Sequence, residues 1–374
     1  MNARERYIET LLFGSPDRIP FTPGGGRIST VKRWEEEGLP KGKNQFEALC
    51  DELGIKQEKS QPRYELGVSL NIMPIFEQKV LKHEAGHYLV QDWKGAIVEI
   101  SDDYDLTYLI SASDFVTRKW HKFPVENEKD WQEMKKRLNP DEPGRFPADF
   151  AARCAKLRER DYVLSINPYG PFWALRDFCG FENLCMFTIE KPELVQEMAE
   201  VWGDFMTKVV SRILNETSLD VIHISEDMAY KEKAMISPAM CRQFLMPVWK
   251  KWVKTFKGDK CPVIAMDSDG FIGELIPLWI ESGIQVCDPI EVAAGCDINA
   301  FRKSFGKKMA YRGGVDKREM AKGGKRIVDE LKRIEPVVRD GGFIPSCDHG
   351  VPPDVSWKDY VYYAGLLAEM TGWK

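Results

Sequence analysis

The sequence has no run of 18 uninterrupted apolar residues, which excludes a membrane-spanning helix on pattern alone. It has no block of basic residues interleaved with aromatics. The 53 lysines and arginines are scattered and the formal net charge is −5, so a nucleic-acid groove is not expected. A cysteine framework is also missing, because the nine cysteines are odd in number and irregularly spaced, as suits a reducing compartment. Residues 1–14 alternate charged and apolar side chains as an amphipathic helix would, stopped by Gly14 and Pro16. They lack the apolar core of a signal peptide, so a cytoplasmic protein is expected. Histidine is scarce, with five residues in all, which makes each one informative.

What is present is the composition of a large globular core, with 43% hydrophobic and 30% charged residues in 374. A chain of this length needs neither disulfide nor metal to be stable, so any metal would serve chemistry. From residue 160 onward short β-rich runs alternate with helical periodicity. The pattern predicts strands at 162–166, 220–224, 262–266, 284–287, 309–311 and 342–344, with helices at 193–215, 238–256, 272–281, 297–305, 317–338 and 356–370. Adding 18–22 and one strand hidden between 45 and 115 makes eight, and so predicts a single α/β domain over 1–374 built as a (β/α)8 TIM barrel with an N-terminal helix. Residues 70–125 break this rhythm. Segments 79–90 and 91–101, with turns at Ala85-Gly86 and 93–95, read as a β-meander inserted into the barrel.

In such a barrel the catalytic groups come from loops after the strands. After the first strand, Gly24-Gly25-Gly26-Arg27 reads either as a flexible turn or as a close backbone approach to a ligand with an arginine for an anionic group. The next readable loop offers Asn167, Tyr169 and Trp173, suited to lining a flat substrate pocket, although core packing explains Trp173 as well. Glu226-Asp227 follow strand 220–224, with Tyr230 beyond. Adjacent carboxylates there must point in different directions. Asp267-Ser268-Asp269-Gly270 is the strongest local signal. Two oxygen donors two residues apart in an extended segment share a face and suit a divalent ion, or else Asp269 caps the next helix. Glu291, Arg312 and Cys347-Asp348-His349-Gly350 follow the last strands. His349 is the one histidine after His223 and a candidate for acid–base work or metal ligation. Cys154, Cys179, Cys185 and Cys241 read as small buried hydrophobes, whereas Cys296 and Cys347 in strand-end loops stay open as ligands.

Taken in order, Arg4-Glu5-Arg6, Pro16-Asp17-Arg18-Ile19-Pro20, Asp267-Ser268-Asp269-Gly270, Pro289-Ile290-Glu291-Val292-Ala293-Ala294-Gly295, Gly313-Gly314-Val315-Asp316-Lys317 and Asp348-His349-Gly350-Val351-Pro352-Pro353-Asp354 resemble the uroporphyrinogen decarboxylase superfamily. The resemblance implies a (β/α)8 barrel and one of two chemistries, cofactor-free decarboxylation of a tetrapyrrole or zinc-dependent methyl transfer to or from a corrinoid protein. The decarboxylases carry arginines four residues apart after the first strand, where this chain has Arg27 and Val31, and an aspartate after the next strand with no equivalent near Asn71. His349 falls on the family's C-terminal histidine position. The methyltransferases bind zinc through a His-x-Cys pair and a final-loop cysteine, positions that here become Asp267, Asp269 and His349, with Glu226 near enough in barrel order to complete a set.

The resemblance therefore implies a methyltransferase component that moves a methyl group between a small O- or N-methylated substrate and a corrinoid carried by a partner protein. Bound zinc would serve as Lewis acid, held by Glu226, Asp267, Asp269 and His349. Asp267, His349 and Tyr230 are the expected catalytic residues, and Arg27, Asn167, Tyr169, Trp173 and Glu291 the substrate-binding ones. The alternative is a metal-free decarboxylase of a carboxylated substrate. Pairing of superfamily decarboxylases through their barrel mouths makes a homodimer a further expectation.

Overall fold

The computed structural model describes residues 1–59, 65–103 and 118–374. Its centre is a parallel sheet of six strands in the order β10-β9-β8-β7-β6-β5. These are β5 (Ser165–Ile166), β6 (Val221–Ser225), β7 (Val263–Asp267), β8 (Val286–Ile290), β9 (Ala310–Val315) and β10 (Phe343–Cys347), each within a few residues of the predicted strand. Each connection between neighbours contains at least one helix, as a parallel sheet requires.

One face of the sheet is filled from below. Val163, Val221, Val263, Ala265, Val286, Ala310 and Ile344 pack on one another and on Tyr7 and Leu11 of the N-terminal helix α1 (Ala3–Leu11). Side chains alternate along a strand, so the next inward positions follow directly: Ser165 and Asn167, His223 and Ser225, Asp267, Asp288, Arg312 and Ser346. The inner face therefore runs from apolar at the strand starts to polar and charged at the strand ends. The opposite face carries Ile222, Ile224, Ile264, Met266 and Tyr311, buried under long helices such as Pro192–Glu216.

The count of eight strands needs correction, because the hydrogen-bonded sheet has six. Residues 18–22 form no strand. The chain just beyond them runs beside β10, where the Cys347 amide donates to the Pro23 carbonyl and the Val351 amide to that of Gly25. The approach is close enough that a Cβ on Gly24 would lie 2.8 Å from the Cβ of Cys347, and one on Gly26 would lie 2.8 Å from the Trp34 ring. Close packing, not a flexible turn, accounts for these glycines. No strand of the six-stranded sheet arises between 45 and 115 among the described residues.

The meander is there. β1 (Lys79–Glu84), β2 (His87–Gln91), β3 (Ile97–Ser101) and β4 (Lys119–Lys122) form a separate antiparallel sheet, with Ala85-Gly86 turning β1 into β2 as expected. Residues 104–117 of the expected insertion lie outside the described residues. The predicted helix at 238–256 is realised as one helical run with a π-turn over Cys241–Leu245, just before Pro247, a residue with no N–H to give to a regular helix. No helix among the described residues is long and apolar enough to cross a membrane.

Candidate functional site

The strand ends surround a cavity of about 480 Å³ lined by Gly24, Gly25, Trp173, Asp288, His349 and three further aspartates, Asp227, Asp267 and Asp269. Four carboxyl groups in one small space repel one another, and three of them have a basic partner. Asp227 pairs with Arg176 at 2.8 Å and Asp288 with Arg312 at 2.9 Å, while Asp269 Oδ2 lies 3.1 Å from His349 Nε2. Asp267 has no ion pair among the described residues. It ends β7 between Ser225 of β6 and Asp288 of β8, and its hydrogen bond is to the neutral Ser225.

Burial first, then the charge of Asp288, push the Asp267 carboxyl up to about 7, with Asp269 and Asp227 adding to the effect and Ser225 opposing it. A carboxylic acid that titrates near neutrality can give or take a proton under physiological conditions.

His349 is held from both sides. Its Nδ1 accepts from the Gly350 amide at 2.7 Å and faces Arg27 Nη2 at 3.0 Å. With two N–H donors on Nδ1, the neutral ring carries its proton on Nε2 and donates it to Asp269. Asp269 draws the histidine's pKa above its ordinary value, while burial and the Arg27 charge work against it.

This geometry bears on the expected zinc. A neutral histidine that binds a metal through Nε2 must carry its proton on Nδ1, and here Nδ1 is the acceptor of two donors. Glu226 is not at the cavity. It is fully buried, with Oε1 accepting from Trp249 Nε1 at 2.6 Å and Oε2 from the Trp173 amide at 3.1 Å, and burial pushes its carboxyl up to about 8. Gly170 makes room for it, since a Cβ there would lie 2.1 Å from the carboxyl carbon of Glu226. Among the described residues no three His, Cys, Asp or Glu are grouped to hold a metal ion. The expected four-ligand set is thus corrected: the donors present do not fit zinc as they stand. Cys296 and Cys347 are buried, with thiols pushed up to about 11 and about 12, and of the four cysteines expected in the core Cys185 is exposed.

The remaining predicted residues are dispersed. Tyr169 and Trp173 stack with ring planes 1° apart and centroids at 5.0 Å, Trp173 facing the mouth cavity and Tyr169 a second, inner chamber that Asn167 also lines. Glu291 ties loops together, accepting from the Gly270 amide at 3.0 Å and from Lys317 Nζ at 3.2 Å. Tyr230 is 60% exposed, with its ring against Phe181. Arg27 stands behind His349. The sequence reading placed Arg176, Asp288 and Arg312 at or just past strand ends without giving them a role in the site, and did not single out Ser225, although strand alternation from the apolar inward residues points to Asp288, Arg312 and Ser225.

A profile of the family described as uroporphyrinogen decarboxylase (URO-D) matches residues 120–361. Among solved structures, a methyltransferase from Methanosarcina mazei superposes with a TM-score of 0.57 at 14% identity, over 99% of this chain and 98% of that one. A B12-independent methionine synthase from Shewanella sp. W3-18-1 aligns over 95% and 97% of the two chains at 13% identity, with a TM-score of 0.42. A search of the curated proteins finds no match. The profile spans well over half of the chain, from the end of the meander to the C-terminal helix, and takes in Asp267, Asp288, Arg312 and His349. The chain belongs to the uroporphyrinogen decarboxylase (URO-D) family.

Proposed function

We propose that this enzyme is a methyltransferase component that takes a methyl group from the heteroatom of a small O- or N-methylated substrate and passes it to a corrinoid carried by a separate partner protein. The observation that carries the reading is the Asp267 carboxyl, held near neutrality at the centre of an otherwise charge-paired mouth. The basic groups of the mouth are already engaged, Arg176 with Asp227, Arg312 with Asp288 and Arg27 with His349, which leaves little positive charge for the many carboxylates of a tetrapyrrole. A methyl ether carries no such charge. The fold would be the closed (β/α)8 barrel of the family, acting in the cytoplasm.

In this reading the corrinoid, when its carrier docks over the strand ends, supplies the nucleophile that accepts the methyl group. The C–O or C–N bond of the donor breaks, its electron pair goes to the heteroatom, and the Asp267 carboxyl gives that atom its proton. The products are the methylated acceptor, the demethylated alcohol or amine, and an Asp267 carboxylate that solvent reprotonates. The stacked Tyr169 and Trp173 rings position the donor, and the Arg27-His349-Asp269 chain fixes the opposite wall. The zinc that the resemblance implies has no step in this scheme, because the His349 proton lies where the metal would.

A second reading, a metal-free decarboxylase, is supported by the same acid, since protonating the carbon left by CO2 also needs a donor near neutrality. Purified enzyme given methyl ethers and a corrinoid protein separates the two. Methyl transfer that falls about 100-fold or more in Asp267→Asn supports the proposal, and CO2 release without methyl transfer overturns it.

A further inference from the structure

Beneath the mouth lies a larger chamber, about 1280 Å³, on the inner face of the sheet. Its walls include Tyr7, Ser165, Asn167, His223, Ser225 and Arg312. The methyl-transfer scheme uses only Tyr169 of its lining. The Arg312 side chain retains 25% of its surface accessible although it springs from the middle of β9, because that surface faces the chamber.

The wall mixes apolar side chains, among them Leu66, Val68 and Leu70, with polar ones, and the polar groups of the sheet beside Arg312 are uncharged. Burial, reinforced by the Arg312 charge, pushes His223 down to about 3, so its ring is neutral, and burial raises the Tyr7 phenol. Tyr7 Oη and His223 Nε2 lie 3.5 Å apart. Glu65 is the one acidic side chain on this wall among the described residues, and it is engaged with the Tyr162 hydroxyl. Arg312 contacts Asp288 and Tyr7, and a guanidinium carries more N–H donors than those two contacts use. A fixed guanidinium flanked by the neutral hydrogen-bonding groups of Tyr7, His223 and Ser225 is suited to a planar anion, and a carboxylate matches its fork.

We infer that the inner chamber is a carboxylate-binding subsite with Arg312 as its anchor, so the substrate is a small organic acid. Ser225, Tyr7 and His223 supply neutral hydrogen bonds around the anchored group. Where the acid bears its methyl group rests on the methyl-transfer reading. Arg312 and Asp267 lie in the same layer on β9 and β7, two strand spacings or about 10 Å apart at the backbone. Their side chains converge inward, so a carboxylate at Arg312 would set a heteroatom a few bonds away beside Asp267.

The test uses benzoate and benzamide, which share a shape and differ in charge and carry no methyl group. Calorimetric titration of the full-length protein should show benzoate binding at least about tenfold tighter than benzamide. Arg312→Gln should abolish that preference. Because this change leaves Asp288 without its partner, Arg312→Gln/Asp288→Asn is measured alongside it and should behave alike. No benzoate binding, equal binding of the two probes, or a preference that survives in the double variant overturns the inference. Benzoate binding through Arg312 in an enzyme that transfers no methyl group would sustain the subsite and refute the methyl-transfer reading alone.

Discussion

Asp288 is bound to Arg312 at 2.9 Å, and in taking that arginine it leaves its neighbour Asp267 with a negative charge on one side and a neutral serine on the other. The functional account rests on this arrangement. Of two carboxyls on adjacent strands only Asp288 takes the guanidinium, and Asp267, which lacks it, holds its proton up to about pH 7.

The first consequence concerns stability. The Asp267 carboxyl moves from an ordinary 3.8 to about 7 on folding, so between those values the folded state holds a proton that the unfolded chain has released. Its contribution is fully present below pH 4 and is lost as pH rises through 7. The full shift corresponds to about 4 kcal/mol as an upper bound. Asp267→Asn should flatten the loss of stability between pH 4 and 7 and leave the variant more stable than wild type at pH 8. Urea unfolding across that range measures it, and parallel curves for the two proteins would refute it.

Glu226 obeys the same sign. Burial lifts it from 4.5 to about 8, so it weakens the fold as pH rises through 8, although its two N–H donors are in place. Glu226→Gln keeps an acceptor for Trp249 and should unfold at the same or higher denaturant concentration at pH 9. Gly170→Ala, by contrast, drives a methyl group into this carboxyl and should cost about 2 kcal/mol or more. Both are read by chemical denaturation.

The Arg27-His349-Asp269 chain acts as one unit. Single changes Arg27→Ala and His349→Ala should therefore be less than additive when combined, with a coupling of about 1 kcal/mol in unfolding free energy. An additive pair would mean that the contact between them contributes nothing.

The donors at the mouth also make a statement about metal. Protein dialysed against zinc and then washed should retain the same zinc as an Asp267→Ala/Asp269→Ala/His349→Ala variant by elemental analysis. About one additional equivalent in the wild type would show that His349 can turn its proton to Nδ1 and would restore the metal-dependent reading.

Much of this was legible in the sequence. The six strands and their helices follow from periodicity, and Asp267 and His349 stand where strand-end logic puts them. The count of eight was not borne out among the described residues: 18–22 form no strand, and the chain just beyond makes only a few backbone bonds to the end of β10 and its loop, at Pro23, Gly25 and Arg27, and is held by close glycine packing instead. Adjacent Glu226 and Asp227 were expected to diverge, and they do, but sequence could not say which turns inward. Asp227 takes a left-handed backbone conformation, φ +47°, and faces the cavity, while Glu226 goes to the tryptophans. Arg312 needed the phase of β9. Ala310 is inward, so Arg312 is too, yet the glycines that follow hide the alternation.

The most direct measurement is the titration of the Asp267 carboxyl itself, by carbon NMR of aspartate-labelled protein with Asp267→Asn to assign the resonance. The account predicts a midpoint near 7, moving downward in Asp288→Asn as the repelling charge is removed. A midpoint in the ordinary range near 4 would contradict it, and with it the role of Asp267 as the proton donor.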